Sequence, residues 1–275
     1  LFQKNVTAIG QMVELLLVDK AIEAALCAGN KIREVYSSAE FFVRQKEDET
    51  PVTLADQLAH QEIIDILKST SIPVLSEEGT HSDFSLRKTW TKLWLVDPLD
   101  GTKEFIKRND EFTVNIAFII NGKPMMGVIY APACDELYVG IIGTGAWRIK
   151  NPPVKCSFQI VLDSGVKLPD KTTSDNYVVL LSRSHMNTET ELFIEKIRKE
   201  NPNIQMESKG SSLKLCLIAE GSATIYPKLG KTMEWDTAAG HAILKSVGKN
   251  VFHTDQKTEL TYNKENLQNP QFIAL

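Results

Sequence analysis

Little in this sequence would staple, anchor or charge it into a special class. Its four cysteines, Cys27, Cys134, Cys156 and Cys216, lie far apart with no C-x-x-C pair, and its five histidines form no H-x-x-x-H pair. A zinc centre or a disulfide scaffold is therefore disfavoured, and a reducing, cytoplasmic setting fits. No apolar run approaches the ~20 residues of a membrane span. Positive charge is not in excess: 31 Lys and Arg stand against 35 Asp and Glu, a net charge of -4. That argues against a broad nucleic-acid or anionic-membrane surface and leaves room for a local basic pocket. Repeats, low-complexity tracts and charge blocks are absent. So are P-loop and dinucleotide fingerprints, since Gly143 and Gly145 lack a third glycine and sit in a hairpin pattern. The start has neither Met nor a signal-peptide pattern, so Leu1 reads as a processed or cloning-derived end.

What is there is an ordinary globular chain of 275 residues, 43% hydrophobic and 24% charged. A chain of this length buries roughly three-quarters of its unfolded surface and has a prior of about two domains. Val13, Leu16, Leu17, Ala24, Ala28 and Ile32 recur at helical spacing from about Gly10 to Tyr36. Thr53 opens a second helix, with Leu54, Leu58, Ile63 and Leu67 on one side and a polar surface loop, Gln45 to Thr50, before it. From Pro73 the pattern turns to short strands. Asn121-Gly122 marks a hairpin, and the meander runs to Ile149. Asn151-Pro152-Pro153 and the polar stretch to Asn176 suit a junction. Past Tyr177, strands and helices alternate, which argues for an α/β second half. The expected division is 1–157, an α+β domain carrying most of the chemistry, and 158–275, an α/β domain.

The most informative stretch runs from Trp94 to Phe105, W-L-V-D-P-L-D-G-T-K-E-F. A buried strand ends in Asp97 and Asp100, Pro98 stiffens the exit, Gly101 permits a tight turn, and Thr102 begins a short helix. Paired carboxylates on a rigid strand end suit hard cations such as Mg2+, and a phosphate at the adjoining helix start would complete the coordination. That set is what metal-assisted phosphoryl transfer to water requires. Taken alone, D-G-T is as readily an Asp-capped turn. Two further acids lower that reading: Glu77, after Val74-Leu75-Ser76, and Asp236, in Glu234-Trp235-Asp236-Thr237. Each has its own plain explanation, Glu77 as a solvated loop acid and Asp236 as a helix cap. Asp56 has the plainest, since Thr53-x-x-Asp56 is nearly a capping box. Haloacid-dehalogenase phosphatases place their two aspartates two apart, whereas Asp97 and Asp100 are three apart with Pro98 between them, which disfavours a phospho-aspartate enzyme.

Glu77-Glu78, Asp97-Pro98-Leu99-Asp100-Gly101-Thr102 and Trp235-Asp236-Thr237-Ala238-Ala239-Gly240 together resemble the signature of the inositol monophosphatase superfamily. The likeness extends from Pro51 almost to the C-terminus. Asp100 to Asn115, Ser182-Arg183-Ser184-His185 and Gly210-Ser211-Ser212-Leu213-Lys214 are most similar to its bacterial CysQ-type 3'(2'),5'-bisphosphate nucleotidase branch. The resemblance implies a layered αβαβα sandwich with the site between two domains. It implies one Mg2+ on Glu77, Asp97 and the Leu99 carbonyl, a second on Asp97, Asp100 and Asp236, and a third, weak site near Glu77 and the loop around Asp48. Glu49-Thr50 departs from the small polar pair usual before Pro51, which weakens that third site. Asp56 and Thr102 would activate water for in-line attack, with no covalent phosphoenzyme. Gly101 and Thr102 N–H groups would hold phosphate oxygens, and Ser182, His185, Gly210 and Lys214 the nucleotide. Glu77, Leu99, Asp100 and Asp236 would also touch substrate.

The implied substrate is adenosine 3',5'-bisphosphate, released when sulfate is transferred or reduced, with 3'-phosphoadenylyl sulfate as a second. On residues alone, His185 reads as a loop histidine and Lys214 as a solvated helix lysine. The rival readings are a phosphatase of inositol or sugar phosphates and a non-catalytic nucleotide binder. Retention of Asp56 and Thr102 speaks against the latter. The resemblance implies a cytoplasmic protein whose branch includes members that associate peripherally with the inner membrane; no amphipathic stretch here is strong enough to predict that association, and the oligomeric state stays open.

Overall fold

In a computed structural model, residues 14–38, 44–45, 51–171, 177–183, 188–201 and 203–275 are described, with 44–45 and 51–52 as backbone alone. His185, Asp48 and Glu49-Thr50 lie outside the described residues, as does the start of the first expected helix.

The chain begins with α1 (Leu15–Ser37), then β1 (Arg44–Gln45) and β2 (Pro51–Val52), a short antiparallel pair, and α2 (Leu54–Leu67). Next come β3 (Val74–Ser76), α3 (Phe84–Arg87), β4 (Lys92–Asp100), α4 (Thr102–Ile106), β5 (Thr113–Ile120), β6 (Lys123–Ala131), β7 (Glu136–Ile141) and β8 (Gly145–Lys150). α5 (Phe158–Ser164) and β9 (Val166–Leu168) follow. The remainder is β10 (Tyr177–Ser182), α6 (Thr188–Glu200), β11 (Ile204–Lys209), α7 (Leu213–Glu220), β12 (Tyr226–Lys228), α8 (Glu234–Ser246), β13 (Val251–His253) and β14 (Phe272–Ala274).

β3 to β9 form one sheet in sequence order, parallel between β3 and β4 and antiparallel beyond. α1 and α2 cover one face of this sheet. The α1 stripe is Leu17, Ala24, Ala28 and Ile32 as expected, but Leu16 points out, at 61% exposure. On α2 the buried apolar positions are Ala55, Ala59, Ile63 and Leu67, while Leu58 is exposed. Small alanines on α2 let the two helices lie close, so the buried stripe is rotated from the leucines that a hydrophobicity pattern selects first. The other face packs on α7 and α8, and beyond them lie β10 to β14, with Leu180, Leu215, Ile218, Ala239, Ile243 and Phe272 in a shared core. β10 pairs with β11 in parallel and is joined to the antiparallel β12–β14–β13 set through Val179 and Ile225. α6 closes the stack, with Ile194 and Ile197 against Val179 and Ile273. The layers run αβαβα.

α5 and β9 lie past residue 157 yet remain in the first sheet's packing: Phe158 and Val161 share the α1–α2 core, and β9 pairs with β8. α8 is seated by two glycines. Gly127 of β6 and Gly140 of β7 are direct cross-strand partners. A Cβ on Gly127 would fall 2.1 Å from the Ala239 carbonyl oxygen, and one on Gly140 2.6 Å from the Ile243 Cα. Ala239 and Ile243 are one helical turn apart, so the helix backbone lies directly on a flat patch of bare strand.

Candidate active site

Strand register brings the first acids together. Ser76 of β3 is the partner of Val96 in parallel pairing, and the Glu77 N–H donates to the Val96 carbonyl at 3.1 Å, so Glu77 leaves its strand beside Asp97. β4 continues through Asp97-Pro98-Leu99-Asp100. Its pairing with β5 holds at Asp97 with Asn115, slips, and resumes at Asp100 with Thr113. In a regular strand, residues three apart face opposite sides. The bulge, placed where Pro98 has no N–H to offer, resets the alternation, so Asp97 and Asp100 line the same cleft.

Asp236 arrives from the far half of the chain on the first turn of α8. It caps that helix as expected, accepting the Met233 N–H at 2.8 Å, and it also lines the cleft. Carboxylate oxygens of Glu77, Asp97 and Asp236 all lie within 4.8 Å of one another. Asp100 stands outside that set of three, on the same wall.

Burial, and then the repulsion of Glu77, Asp100 and Asp236, pushes the Asp97 carboxyl well above its ordinary range. Burial, and then Asp100 and Glu77, does the same to Asp236. Burial also raises Asp100, against Lys214, Ser212 and Asn115, which favour its ionised form. A cluster of hard oxygen donors that repel one another in a buried site fits a divalent, oxygen-preferring cation, whose charge would relieve that repulsion.

Asp56, buried on α2, uses its two oxygens differently. Oδ2 accepts from the Thr53 N–H at 2.7 Å and the Thr53 hydroxyl at 2.6 Å, and Thr53 Oγ1 accepts from the Ala55 N–H, a complete capping box. Oδ1 accepts from the Thr102 hydroxyl at 3.2 Å. The capping reading is thus correct and accounts for one oxygen alone. Thr102 is on the cleft wall, and Asp56 stands behind it. Gly101 precedes α4 with φ +94°, the left-handed turn that a glycine accepts without strain.

The second half supplies the opposite wall of a cleft of about 240 Å³. Ser182, Gly210 and Lys214, expected at the site, line it. Lys214 is not the solvated helix lysine that its sequence suggests. It is 6% exposed, donates to the Lys209 carbonyl at 3.1 Å and the Ser211 carbonyl at 2.6 Å, and lies over the Tyr226 ring. Burial lowers its pKa to about 8.

Four residues escaped the sequence reading. Ser212 Oγ lies 2.8 Å from both Asp100 Oδ2 and the Asp236 carbonyl, and accepts from Asn115 Nδ2 at 2.9 Å, tying α7, β4, β5 and α8 at one point. Both Ser212 and Asn115 fall inside motifs that look informative. Tyr226 and Lys228 carry no local signal, because a lysine in a three-residue strand reads as solvated. Lys228 is nevertheless buried and on the wall. Its one hydrogen-bond partner among the described residues is Ser182 Oγ at 3.3 Å, which also meets the Tyr226 hydroxyl at 3.0 Å.

A family model for the inositol monophosphatase family matches residues 14–271. The chain is 43% identical over 260 residues to the 3'(2'),5'-bisphosphate nucleotidase CysQ of Escherichia coli O157:H7, covering 93% of this chain and 98% of that one. It is 34% identical over 266 residues to the like-named protein of Haemophilus influenzae, covering 94% and 92%. The crystal structure of CysQ from Bacteroides thetaiotaomicron, a bacterial member of the inositol monophosphatase family, matches with a TM-score of 0.86 and 44% identity over 96% of this chain and 98% of that one. An inositol monophosphatase from Anabaena matches at 0.66 and 25% identity, covering 94% and 89%.

Proposed function

The chain belongs to the inositol monophosphatase family, and from that premise we propose that it is a magnesium-dependent 3'(2'),5'-bisphosphate nucleotidase. It converts adenosine 3',5'-bisphosphate to AMP and phosphate, and 3'-phosphoadenylyl sulfate is its second substrate. The observation that carries the chemistry is the meeting, in one cleft, of the Glu77–Asp97–Asp236 carboxylates with the Asp56–Thr102 pair. Full-length identity to named bisphosphate nucleotidases supports the choice of substrate. Among the described residues, no helix is long and apolar enough to cross a membrane.

In this reading Glu77, Asp97 and the Leu99 carbonyl would hold one Mg2+, and Asp97, Asp100 and Asp236 would hold another. Bound there, Mg2+ would supply charge neutralisation at the phosphate and a lowered pKa for a coordinated water. The protein's own contribution is orientation. The Thr102 hydroxyl has Asp56 Oδ1 at 3.2 Å and the Leu99 carbonyl at 3.3 Å as acceptors for its one proton, and with that proton donated to Asp56 its oxygen lone pairs can accept from a water in the cleft. Asp56 Oδ2 accepts from Thr53, so Asp56 reaches the cleft through Oδ1 and Thr102. Gly101 and Thr102 N–H groups, at the start of α4, hold phosphate oxygens. Asn115 and Ser212 hold Asp100 by Oδ2, fixing its rotamer.

The remaining phosphate and the base need their own contacts, and this reading assigns them to the Ser182–Lys228–Lys214 wall. Of the two buried lysines there, Lys228 has donor capacity to spare, since the Lys214 ammonium already donates to two carbonyls. Phosphate release from adenosine 3',5'-bisphosphate and inositol 1-phosphate, with Mg2+ and with chelator, tests the reading. The expected result is a kcat/KM ratio of ~100-fold or more in favour of the bisphosphate, about 2.7 kcal/mol, and no turnover in chelator. Equal hydrolysis of both would move the assignment to an inositol or sugar phosphatase.

A further inference from the structure

Glu111 lies in the connection between α4 and β5, in the first half of the chain, yet its partners are in the second. Its Oε2 accepts from Arg183 Nε at 2.7 Å and from the Gly210 N–H at 2.8 Å, and its Oε1 accepts from Arg183 Nη2 at 2.8 Å. Lys209 Nζ stands 3.4 Å from Oε1. Arg183 in turn donates to the Ser208 carbonyl at 3.1 Å. A single carboxylate therefore holds the residue that follows β10 and the two that end β11 and follow it. The carboxyl is kept below its ordinary pKa although it is largely buried, because Arg183, the Gly210 N–H and Lys209 outweigh desolvation.

The approach is close on the backbone side as well. A Cβ on Gly210 would sit 2.8 Å from the Glu111 carbonyl oxygen, and one on Gly101 2.9 Å from the same atom. The Glu111 backbone is thus wedged between the turn that starts α4 and the turn that starts α7. Ser182, Arg183, Lys209 and Gly210 line the cleft from the elements that Glu111 ties down, and Glu111 itself is not among the cleft-lining residues. By contrast, the acids of the metal cluster come from β3, β4 and α8, none of which Glu111 touches by hydrogen bond.

We propose that Glu111 is a positioning residue for substrate choice: it fixes the β10 and β11 ends against the start of α4, and so sets the span between the reacting phosphate and the nucleotide wall. This rests on the nucleotidase reading. A substrate that reaches both walls depends on that span, and a small monoester held at the metal cluster alone does not.

The test is kinetic, on purified Glu111→Gln, Arg183→Gln and the double variant, with adenosine 3',5'-bisphosphate and inositol 1-phosphate. Glu111→Gln keeps an acceptor for the Gly210 N–H and loses the ion pair. Expected is a KM for the bisphosphate raised about tenfold with kcat within about twofold, and little change on inositol phosphate. Arg183→Gln should act in the same direction, and the double variant should lose little beyond the worse single one, the non-additivity of a shared interaction. If Glu111→Gln does not fold, Glu111→Asp, which keeps the charge and shortens its reach, carries the comparison of substrates, because Arg183 itself lines the cleft. Equal losses on both substrates, an unchanged KM for the bisphosphate, or multiplying effects in the double variant would overturn the proposal. Failure of the wild type to prefer the bisphosphate would instead overturn the reading on which it rests.

Discussion

Replacing Asp97 with Asn should stabilise the metal-free protein while destroying its activity. Asp97 is 1% exposed, with carboxylate oxygens of two other acids within 4.8 Å. Two unit charges that far apart repel by about 3.5 kcal/mol at an effective dielectric of about 20. Proton uptake relieves part of this, so the net gain from removing one charge is expected at ~1–3 kcal/mol. For a chain of this size that is a rise in melting temperature of roughly 2–8 °C. Asn retains an oxygen for the Leu99 N–H, which Asp97 Oδ1 accepts at 3.1 Å, so the turn is not sacrificed. The sign of the pH dependence follows from the raised pKa of Asp97. The folded protein binds protons there more readily than the unfolded chain, so wild-type stability falls as pH rises through the folded-state value. The advantage of Asn should therefore be large at pH 8 and shrink as the medium approaches the ordinary carboxylate range. Mg2+ should reverse the order, raising the melting temperature of the wild type well above that of the variant. Thermal unfolding in chelator and in Mg2+, at pH 8 and pH 5, measures all four corners. A variant less stable than wild type in chelator at pH 8 would refute the like-charge argument, since it would mean that the carboxylate makes more favourable contacts than it loses to crowding.

Three further outcomes are expected. Thr102→Ala should lower kcat by ~100-fold while leaving Mg2+ affinity, followed by fluorescence of the adjacent Trp235, near wild type, and full rescue by added Mg2+ would contradict a role in orienting water. Lys228→Ala should reduce kcat/KM for the bisphosphate by ~10-fold or more and spare inositol phosphate, whereas Lys214→Ala should mainly lower the melting temperature, because two part-buried carbonyls lose their donor and a buried side chain is removed; the reverse pattern would return the phosphate to Lys214. Gly127→Ala should cost ~1–3 kcal/mol and weaken Mg2+ binding together, since lifting α8 off β6 carries Asp236 with it, and a stability loss with unchanged metal affinity would show that the seat and the site are uncoupled.

The divide between what could be read and what could not follows the range of the interaction. Thr53-x-x-Asp56, the D-P-L-D-G-T exit and the Asn121-Gly122 hairpin are decided by backbone and side-chain chemistry within a few residues, and each is legible as written. The same holds for the helical stripe of α1, apart from Leu16, whose exposure depends on what lies opposite. Recognition of the acids as one set came from the resemblance of whole motifs, since singly each acid has a satisfactory local explanation, and the capping roles of Asp56 and Asp236 prove to be real.

The sequence by itself determined the local devices: a bulge-prone strand end, two capped helices, a turn that only glycine enters without strain, and bare glycines at Gly127 and Gly140. Only the tertiary structure decided which of these meet. Parallel register places Glu77 beside Asp97, a glycine floor lets α8 bring Asp236 across the chain, and Glu111 closes one half of the molecule on the other. It also decided which lysine is spoken for, since Lys214 and Lys228 look alike as letters and differ in how many carbonyls surround them. Lys214's two carbonyls are only three and five positions away, but the contacts of Lys228, Glu77, Asp236 and Glu111 span about 20 to more than a hundred, and the free energy of burying a charge is set by its neighbours in space rather than in sequence.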